Sequence, residues 1–420
     1  MSRKREAEEL LLSLQEEIFE LGDQLFELPE LGFREESTSQ LIAGYLDRAG
    51  IDHEDGIAMT GIRATIGSGD YHIGLVTDLD AIAVSDNGKT IPFHSCGHSS
   101  QNTIMLAVMR VLHELEKRGK LGCKVTYLGA PAEEYIELEY RQKLVEQGKI
   151  RYYSGKQNMI RDGYFDGIDC VFCTHAMGDL TKKFDFASVL SGFLTKKVTF
   201  KGVAAHSGAS PFLGKNALHG ANLFMQAVSF LYEQFPYEAG IQIHPIITNG
   251  GVAMNVIPDT VVVESYVRAL TNETLFSAEE KFDRAAKACA QALGLECEIE
   301  STVGYMPLRQ SDALNEIVYR SLLDVCDKSD ILTGTVSGAS GDMGDVGFLI
   351  PTIQLGYAGY EGRIHSNHFV ITDKKLTYLD TAKAILLSVL ELIENPELRM
   401  RNENFQQDKQ TYLDSWLSMK

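Results

Sequence analysis

The feature that most constrains this chain is a pair of apolar strands that end in carboxylates on either side of an apolar helix. YHIGLVTDLD (71–80) is an almost unbroken apolar run that stops at Asp78 and Asp80. NTIMLAVMRVLHELEKRG (102–119) is apolar at helical spacing, and KVTYLGAPAEE (124–134) closes on Glu133 and Glu134. Strand–helix–strand order with polar strand ends predicts an α/β sheet with a site at the carboxyl edge of its strands.

From about 191 the pattern changes. FLTKKVTFKGVAAHSG reads as a strand, KNALHGANLFMQAVSFLYEQF as a long amphipathic helix, and IQIHPIITNGG and TVVVESYVRAL as strands. SAEEKFDRAAKACAQALG is helical and ECEIESTVGY is strand-like again. The order βαββαβ is that of a small ferredoxin-like α+β domain. After about 308 helix, strand and loop return, closing on a long helix. The chain therefore reads as a discontinuous catalytic domain over 1–190 and 308–420, a mixed sheet flanked by helices, with 191–307 inserted as an α+β domain. The first fifty residues read as two helices. The first ends before Leu28-Pro29-Glu30, and the second starts near Glu36-Ser37-Thr38, where a Ser or Thr can cap the first turn.

Charge narrows the partners. Among 420 residues, 58 Asp and Glu oppose 39 Lys and Arg, a net charge of −19 that repels phosphate backbones and anionic membrane surfaces. No nucleic acid and no membrane partner is expected. The N-terminus is charged and helix-periodic, without the apolar core of a signal peptide, and no apolar run is long enough to span a bilayer. Seven cysteines, scattered and odd in number, suit reduced thiols and a cytoplasmic location better than a disulfide framework. The CxxC at Cys170 and Cys173 sits in DCVFCTH, which reads as a buried strand.

Four separated segments hold metal-competent side chains: Cys96 with His98, Glu133 with Glu134, His175, and His365. Each alone has an ordinary structural reading, as a core or surface histidine or a solvated acid pair. At a strand end, however, neighbouring side chains point to opposite sides. One Glu can ligate a metal while its neighbour faces a bound water. A divalent ion lowers the pKa of bound water from about 15.7 to roughly 7. A carboxylate that is not a ligand can then carry the water proton to a leaving nitrogen. His, Cys and carboxylate suit zinc and tolerate manganese, cobalt or nickel.

Taken in order, LPELGFREEST, TDLDAIAV, SCGHS, GAPAEE, AAHSGASPFLGKNAL, GGVAMNVIPD with the Arg of YVRAL, and GYEGRIHSNHF resemble a family. They are similar to the metal-dependent amidohydrolases that cleave N-acyl amino acids, among them auxin-conjugate, hippurate and aminobenzoyl-glutamate hydrolases. These are relatives of aminoacylase-1 and of the peptidase and deacylase clan. The likeness runs from about Leu25 to Leu390. It implies a zinc-peptidase-like catalytic domain and an inserted lid or dimerisation domain. It also implies two divalent metal ions held by Cys96, His98, Glu134, His175 and His365, with Glu133 as general base. It implies that His206 polarises the scissile carbonyl, that Asn255 and Arg268 hold the substrate, and that Asp80 orients a metal-binding group, Asp78 being a weaker candidate. Taken singly, Asp78 and Asp80 could simply end a strand, His206 could cap the turn at Ser207-Gly208, Asn255 could form a turn and Arg268 could pair with a surface acid. His94 and His219 read as structural.

The implied function is hydrolysis of the amide bond of an N-acyl amino acid or small peptide-like conjugate by a metal-bound hydroxide, in a homodimer built through the inserted domain. Two alternatives stay open: a non-catalytic homologue that binds a metabolite or partner, and a dipeptidase or deacylase of the same clan. The departures from the pattern motivate the first. Where the common motif is C-G-H-D-x-H, this chain has Ser99 and Gln101, which predicts one weaker metal site through a changed surrounding shell. Finally, YIELEYRQKLVEQGKIRYYSGKQNM (135–159) reads as a charged insertion at the edge of the site that sets substrate choice.

Overall fold

A computed structural model describes residues 3–419 apart from 87, 120, 179 and 180. The chain divides into two compact units: 3–189 with 309–336 and 345–409, and 190–308 with 337–344 and 410–419. Two short segments that the sequence assigns to the catalytic domain, 337–344 and 410–419, thus lie in the second unit.

The first unit is built on an eight-stranded mixed sheet. Its centre is four parallel strands in the order Lys124–Ala130, His72–Asp78, Cys170–Ala176 and Thr352–Tyr357. Gly61–Gly67 and His53–Ile57 extend one side antiparallel, while Phe184–Phe186 and Ile331–Thr333 extend the other. Because the four central strands run together, their carboxyl ends deliver Asp78, the Glu133-Glu134 loop, His175 and Tyr357 to one edge. His98–Arg118 packs on the sheet and Thr381–Glu394 packs against that helix and Asp312–Leu323; both are buried along most of their length, as their apolar sequences require.

The N-terminal helical stretch is divided, into Arg3–Ser13 and Gln15–Phe26. Ser13 Oγ donates back to the Leu10 carbonyl at 2.7 Å, a bond that competes with the helix ladder where the break falls. Neither Ser37 nor Thr38 caps the next helix, Glu36–Ala49; its N-cap is Glu35, without a side-chain bond. The Glu30 carboxylate instead accepts the N–H groups of Ser37 and Thr38 at 3.1 and 2.8 Å, supplying negative charge where the helix dipole is positive.

In the second unit, Gly192–Lys201 lies between Thr260–Ala269 and Glu296–Val303, all antiparallel, with Gln242–Ile243 and Ile246–Asn249 beyond Thr260–Ala269. This is the ferredoxin-like strand order. Val261, Val263, Val267 and Ala269 alternate inward, and helices Ala217–Leu231 and Asn272–Ala292 supply Phe224 and Phe282, whose rings meet edge to face at 4.9 Å. Trp416, from the returning C-terminal segment, is fully buried with its ring 5.8 Å from that of Phe276. Among the described residues no helix is long and apolar enough to cross a membrane, and the seven cysteines are free thiols.

Candidate metal centre

Cys96 and His98 flank a turn that only glycine makes easily. Gly97 has φ +85, and a Cβ there would run into Ala176, so glycine lets the turn lie against the strand that carries His175. Cys96 Sγ stands 2.6 Å from Glu134 Oε1 and 2.9 Å from His365 Nε2. His365 Nε2 is 3.9 Å from the same Glu134 oxygen. His365 itself has φ +64, a costly backbone state for a non-glycine residue, and its N–H is tied to the Ser95 carbonyl at 3.1 Å.

The other two imidazoles face each other, with ring centroids 5.8 Å apart. His98 Nδ1 donates to the Asp80 carbonyl at 2.8 Å, and His175 Nδ1 to the Ala176 carbonyl at 2.7 Å. Each main-chain acceptor fixes Nδ1 as a donor, so a metal would be taken at Nε2 once that nitrogen is deprotonated. Among the described residues, His98 Nε2 is buried and makes no hydrogen bond; Glu133 Oε2 is 3.9 Å away. The fold therefore gathers Asp80, Cys96, His98, Glu133, Glu134, His175 and His365 around one point at the sheet edge.

These residues fit a divalent metal. One ligand atom from each of Cys96, His98 and Glu134 lies within 4.8 Å of the others. Donors around a single zinc, each about 2.0–2.3 Å from it, stand roughly 3–4.5 Å apart. The electrostatics agree. Burial would lower the His98 pKa, but Asp80, Asp78 and Glu133 together hold it well above the ordinary imidazole value. Burial pushes the Glu134 carboxyl up, with Asp80 adding to it, and burial with Glu134, Glu133 and Asp80 pushes the Cys96 thiol up. Burial, with His98 adding to it, drops His175 to about 4, so it is neutral as a ligand must be. A site so rich in acids demands positive charge at its centre.

The loop carrying the two glutamates is held by groups of opposite sign. Asp80, fully buried, accepts the N–H groups of Glu133 and Glu134 at 3.1 and 3.0 Å. Burial would raise its carboxyl, but His98, Arg141 and the Glu134 N–H bring it below the ordinary value. Glu35, also fully buried, accepts the Ala132 N–H at 2.8 Å and the Thr60 hydroxyl at 2.5 Å. Burial first, then the Asp80 charge, lifts Glu35 to about 7. From the other side the buried Arg141 guanidinium donates to the carbonyls of Ala132 and Glu134. Asp80 thus holds both the glutamate loop and His98. Glu35 and Arg141 escaped the sequence reading. The signal for Glu35 was its place in LGFREEST, and nothing in the sequence set Arg141 apart from other charges of its segment.

The unusual tail of the Cys-His motif has a structural account. Ser99 Oγ is buried and makes no hydrogen bond among the described residues, so it is no partner of a ligand. Ser100 Oγ bonds to the Tyr357 hydroxyl at 2.5 Å and to that of Tyr360. Gln101 accepts the Asp78 N–H and donates to the Thr174 carbonyl, both at 2.5 Å. His94 is structural, buried with Nε2 on the Leu28 carbonyl at 3.2 Å.

His206, Asn255 and Arg268 belong to the second unit. His206 is exposed, and its Nδ1 accepts the N–H groups of Gly208 and Ala209 at 3.2 and 3.1 Å. It does cap the local turn, and the cap fixes its tautomer: the proton sits on Nε2. The Asn255 carbonyl accepts the Ser207 N–H at 3.0 Å, and Val256 bridges to His206, so the His206 and Asn255 turns are joined. Arg268 donates to the Gly338 carbonyl at 2.6 Å and lies over the rings of Tyr266 and Phe193, 4.7 and 5.4 Å from their centroids. Among the described residues it makes no ion pair of the kind a surface arginine would.

Residues 189–292 match the peptidase dimerisation domain. Hippurate hydrolase of Campylobacter jejuni is 29% identical over 308 residues, covering 70% of this chain and 75% of that one. N-acetyl-L-cysteine deacetylase of Bacillus subtilis is 27% identical over 344 residues, covering 77% of this chain and 77% of that one. A dinuclear metal-binding peptidase of the M20 family, also from Bacillus subtilis, shares the fold, with a TM-score of 0.71 at 17% identity over 91% of this chain and 99% of that one.

Proposed function

We propose that this chain is a metal-dependent amidohydrolase that hydrolyses the amide bond of an N-acyl amino acid or small peptide-like conjugate, as its similarity to hippurate hydrolase and N-acetyl-L-cysteine deacetylase supports. The observation that carries this reading is the convergence of one thiol, three imidazoles and Glu134, with Glu133 beside His98. Cys96, His98, Glu134, His175 and His365 would hold two divalent ions between them. Manganese, zinc, cobalt and nickel all suit these donors. Such ions supply Lewis acidity, polarising a carbonyl and acidifying water.

The remaining work falls to the chain's own side chains. Glu133 takes a proton at Oε2 and returns it to the leaving nitrogen. Asp80 keeps the glutamate loop and His98 in fixed relation. His206 presents Nε2–H, the donor needed where negative charge develops on the carbonyl oxygen. Asn255 and Arg268 bind the substrate's carboxylate or carbonyl. The protein acts in the cytoplasm as a homodimer formed through its inserted domain, with no nucleic-acid or membrane partner.

A panel of N-acyl amino acids, dipeptides and p-aminobenzoyl-glutamate, run with each of the four metals, tests the reading and separates amidohydrolase from dipeptidase. Cleavage of an N-acyl amino acid that disappears in Glu133→Gln is the expected result. Wild-type protein carrying less than about half an equivalent of metal, and inert with every metal added, would sink it in favour of a binding protein.

A further inference from the structure

The segment between Glu134 and His175, expected from its charges to set substrate choice, sends two of those charges inward. Arg141 and Lys156 are both buried, with the Lys156 side chain fully excluded from solvent. A buried lysine is rare because an ammonium in the interior loses several kcal/mol of hydration. Three consecutive residues build this one in. Ser154 Oγ accepts the Gln157 N–H at 3.4 Å and caps the helix Gly155–Arg161. At Gly155 a Cβ would overlap the Pro131 carbonyl oxygen, so glycine lets the helix sit against the base of the glutamate loop. Lys156 then reaches through to the Asp78 carboxylate, itself almost fully buried.

Asp78 stands where the sheet comes apart. The strands His72–Asp78 and Cys170–Ala176 are in register from Ile73 with Cys170 to Leu75 with Phe172, and the pairing stops there. Beyond that point the Gln101 amide spans the two strands, accepting the Asp78 N–H and donating to the Thr174 carbonyl as a peptide group would. Asp78 is therefore fixed at its main chain by Gln101 and at its side chain by Lys156. Two residues on, Asp80 holds His98, Glu133 and Glu134; one residue past Thr174 is His175.

We propose that Lys156 is a positioning residue of the metal centre, whose buried pair with Asp78 sets the parted strand ends that carry Asp80 and His175. The kinetic part of this inference rests on the hydrolase reading; the metal-binding part does not. Metal-free protein titrated with zinc or manganese against a competing chelator gives the decisive readout. Lys156→Met is expected to weaken metal binding about 10–100-fold, the usual cost of losing an outer support. Because that variant leaves Asp78 buried and unpaired, Asp78→Asn with Lys156→Met is the second test, since replacing both charges spares the fold. The double variant is expected to melt within a few degrees of wild type, yet to bind metal at least about 10-fold more weakly. With a cleaved substrate in hand, it should show a lower kcat and a KM within about twofold. A double variant that binds metal as tightly as wild type overturns the proposal and makes the pair a packing feature alone. That titration needs no substrate, so an error in substrate class leaves the outcome decidable.

Discussion

In the first unit most of the candidate side chains, Cys96, His98 and Glu134 among them, are buried at the sheet edge and held by other buried charges. In the second, His206 and Asn255 stand exposed on turns held by main-chain hydrogen bonds. The two arrangements use different physics. A buried ligand set needs counter-charges and satisfied polar partners, so its support is spread over Glu35, Asp80, Gln101, Arg141 and Lys156, drawn from segments far apart in sequence. An exposed imidazole needs only a fixed tautomer, which Gly208 and Ala209 provide within three residues. Substitutions in the first region should therefore disturb metal binding and stability together. Those in the second should change kcat or KM and leave metal binding and stability as they are.

The largest expected effect is on Glu133→Gln, which removes the proton carrier while leaving its size. Its kcat should fall about 10²–10⁴-fold at unchanged metal content, read by steady-state kinetics beside elemental analysis. His206→Asn keeps an acceptor for the turn but loses the Nε2 donor. A fall in kcat of about 10²–10³-fold with an unchanged melting temperature is expected, and a large loss of stability would break the contrast between the units. Glu35→Gln probes the first unit through pH. In the native state Glu35 holds its proton up to about 7, against 4.5 when unfolded. The native state thus binds the extra proton, and stability drops as pH rises through this window, by about 3 kcal/mol in all. Denaturant melts at several pH values should show that slope in wild type and lose it in Glu35→Gln. Gln101→Ala removes two buried hydrogen bonds and should cost about 2 kcal/mol of stability while weakening metal binding. Wild-type metal affinity in that variant would show that the strand ends hold themselves.

How much was legible in the sequence follows the same division. Carboxylates at the ends of apolar strands gave the α/β edge, and βαββαβ order gave the inserted sheet. Cys96, His98, Glu134, His175 and His365 stand out as candidates in the sequence because few side-chain types can ligate a metal, and the fold brings them together. Their supports do not stand out, because a buried cation looks like any other charge until its partner is known. Arg141 and Lys156 sit in a segment rich in Glu, Lys and Arg, where a solvated face is the ordinary reading. Gln101 looked like a loss because it replaces a histidine; only the parting of two strands shows what it holds. The break after Ser13 and the capping of Glu36–Ala49 by Glu30 likewise depend on bonds that no local pattern announces.

Trp416 has a use that its position alone confers. It is the chain's single tryptophan, and it is buried in the second unit against Phe276. Intrinsic fluorescence excited at the red edge of protein absorption therefore sees only that unit, whereas circular dichroism of the peptide bonds sees both. Denaturation curves recorded by the two methods need not coincide, and the gap between them would measure how far the inserted sheet and the metal-binding sheet unfold as one. Adding metal should shift the dichroism curve in any case. A fluorescence curve that shifts with it would mean that ion binding in one unit is felt by the folding of the other.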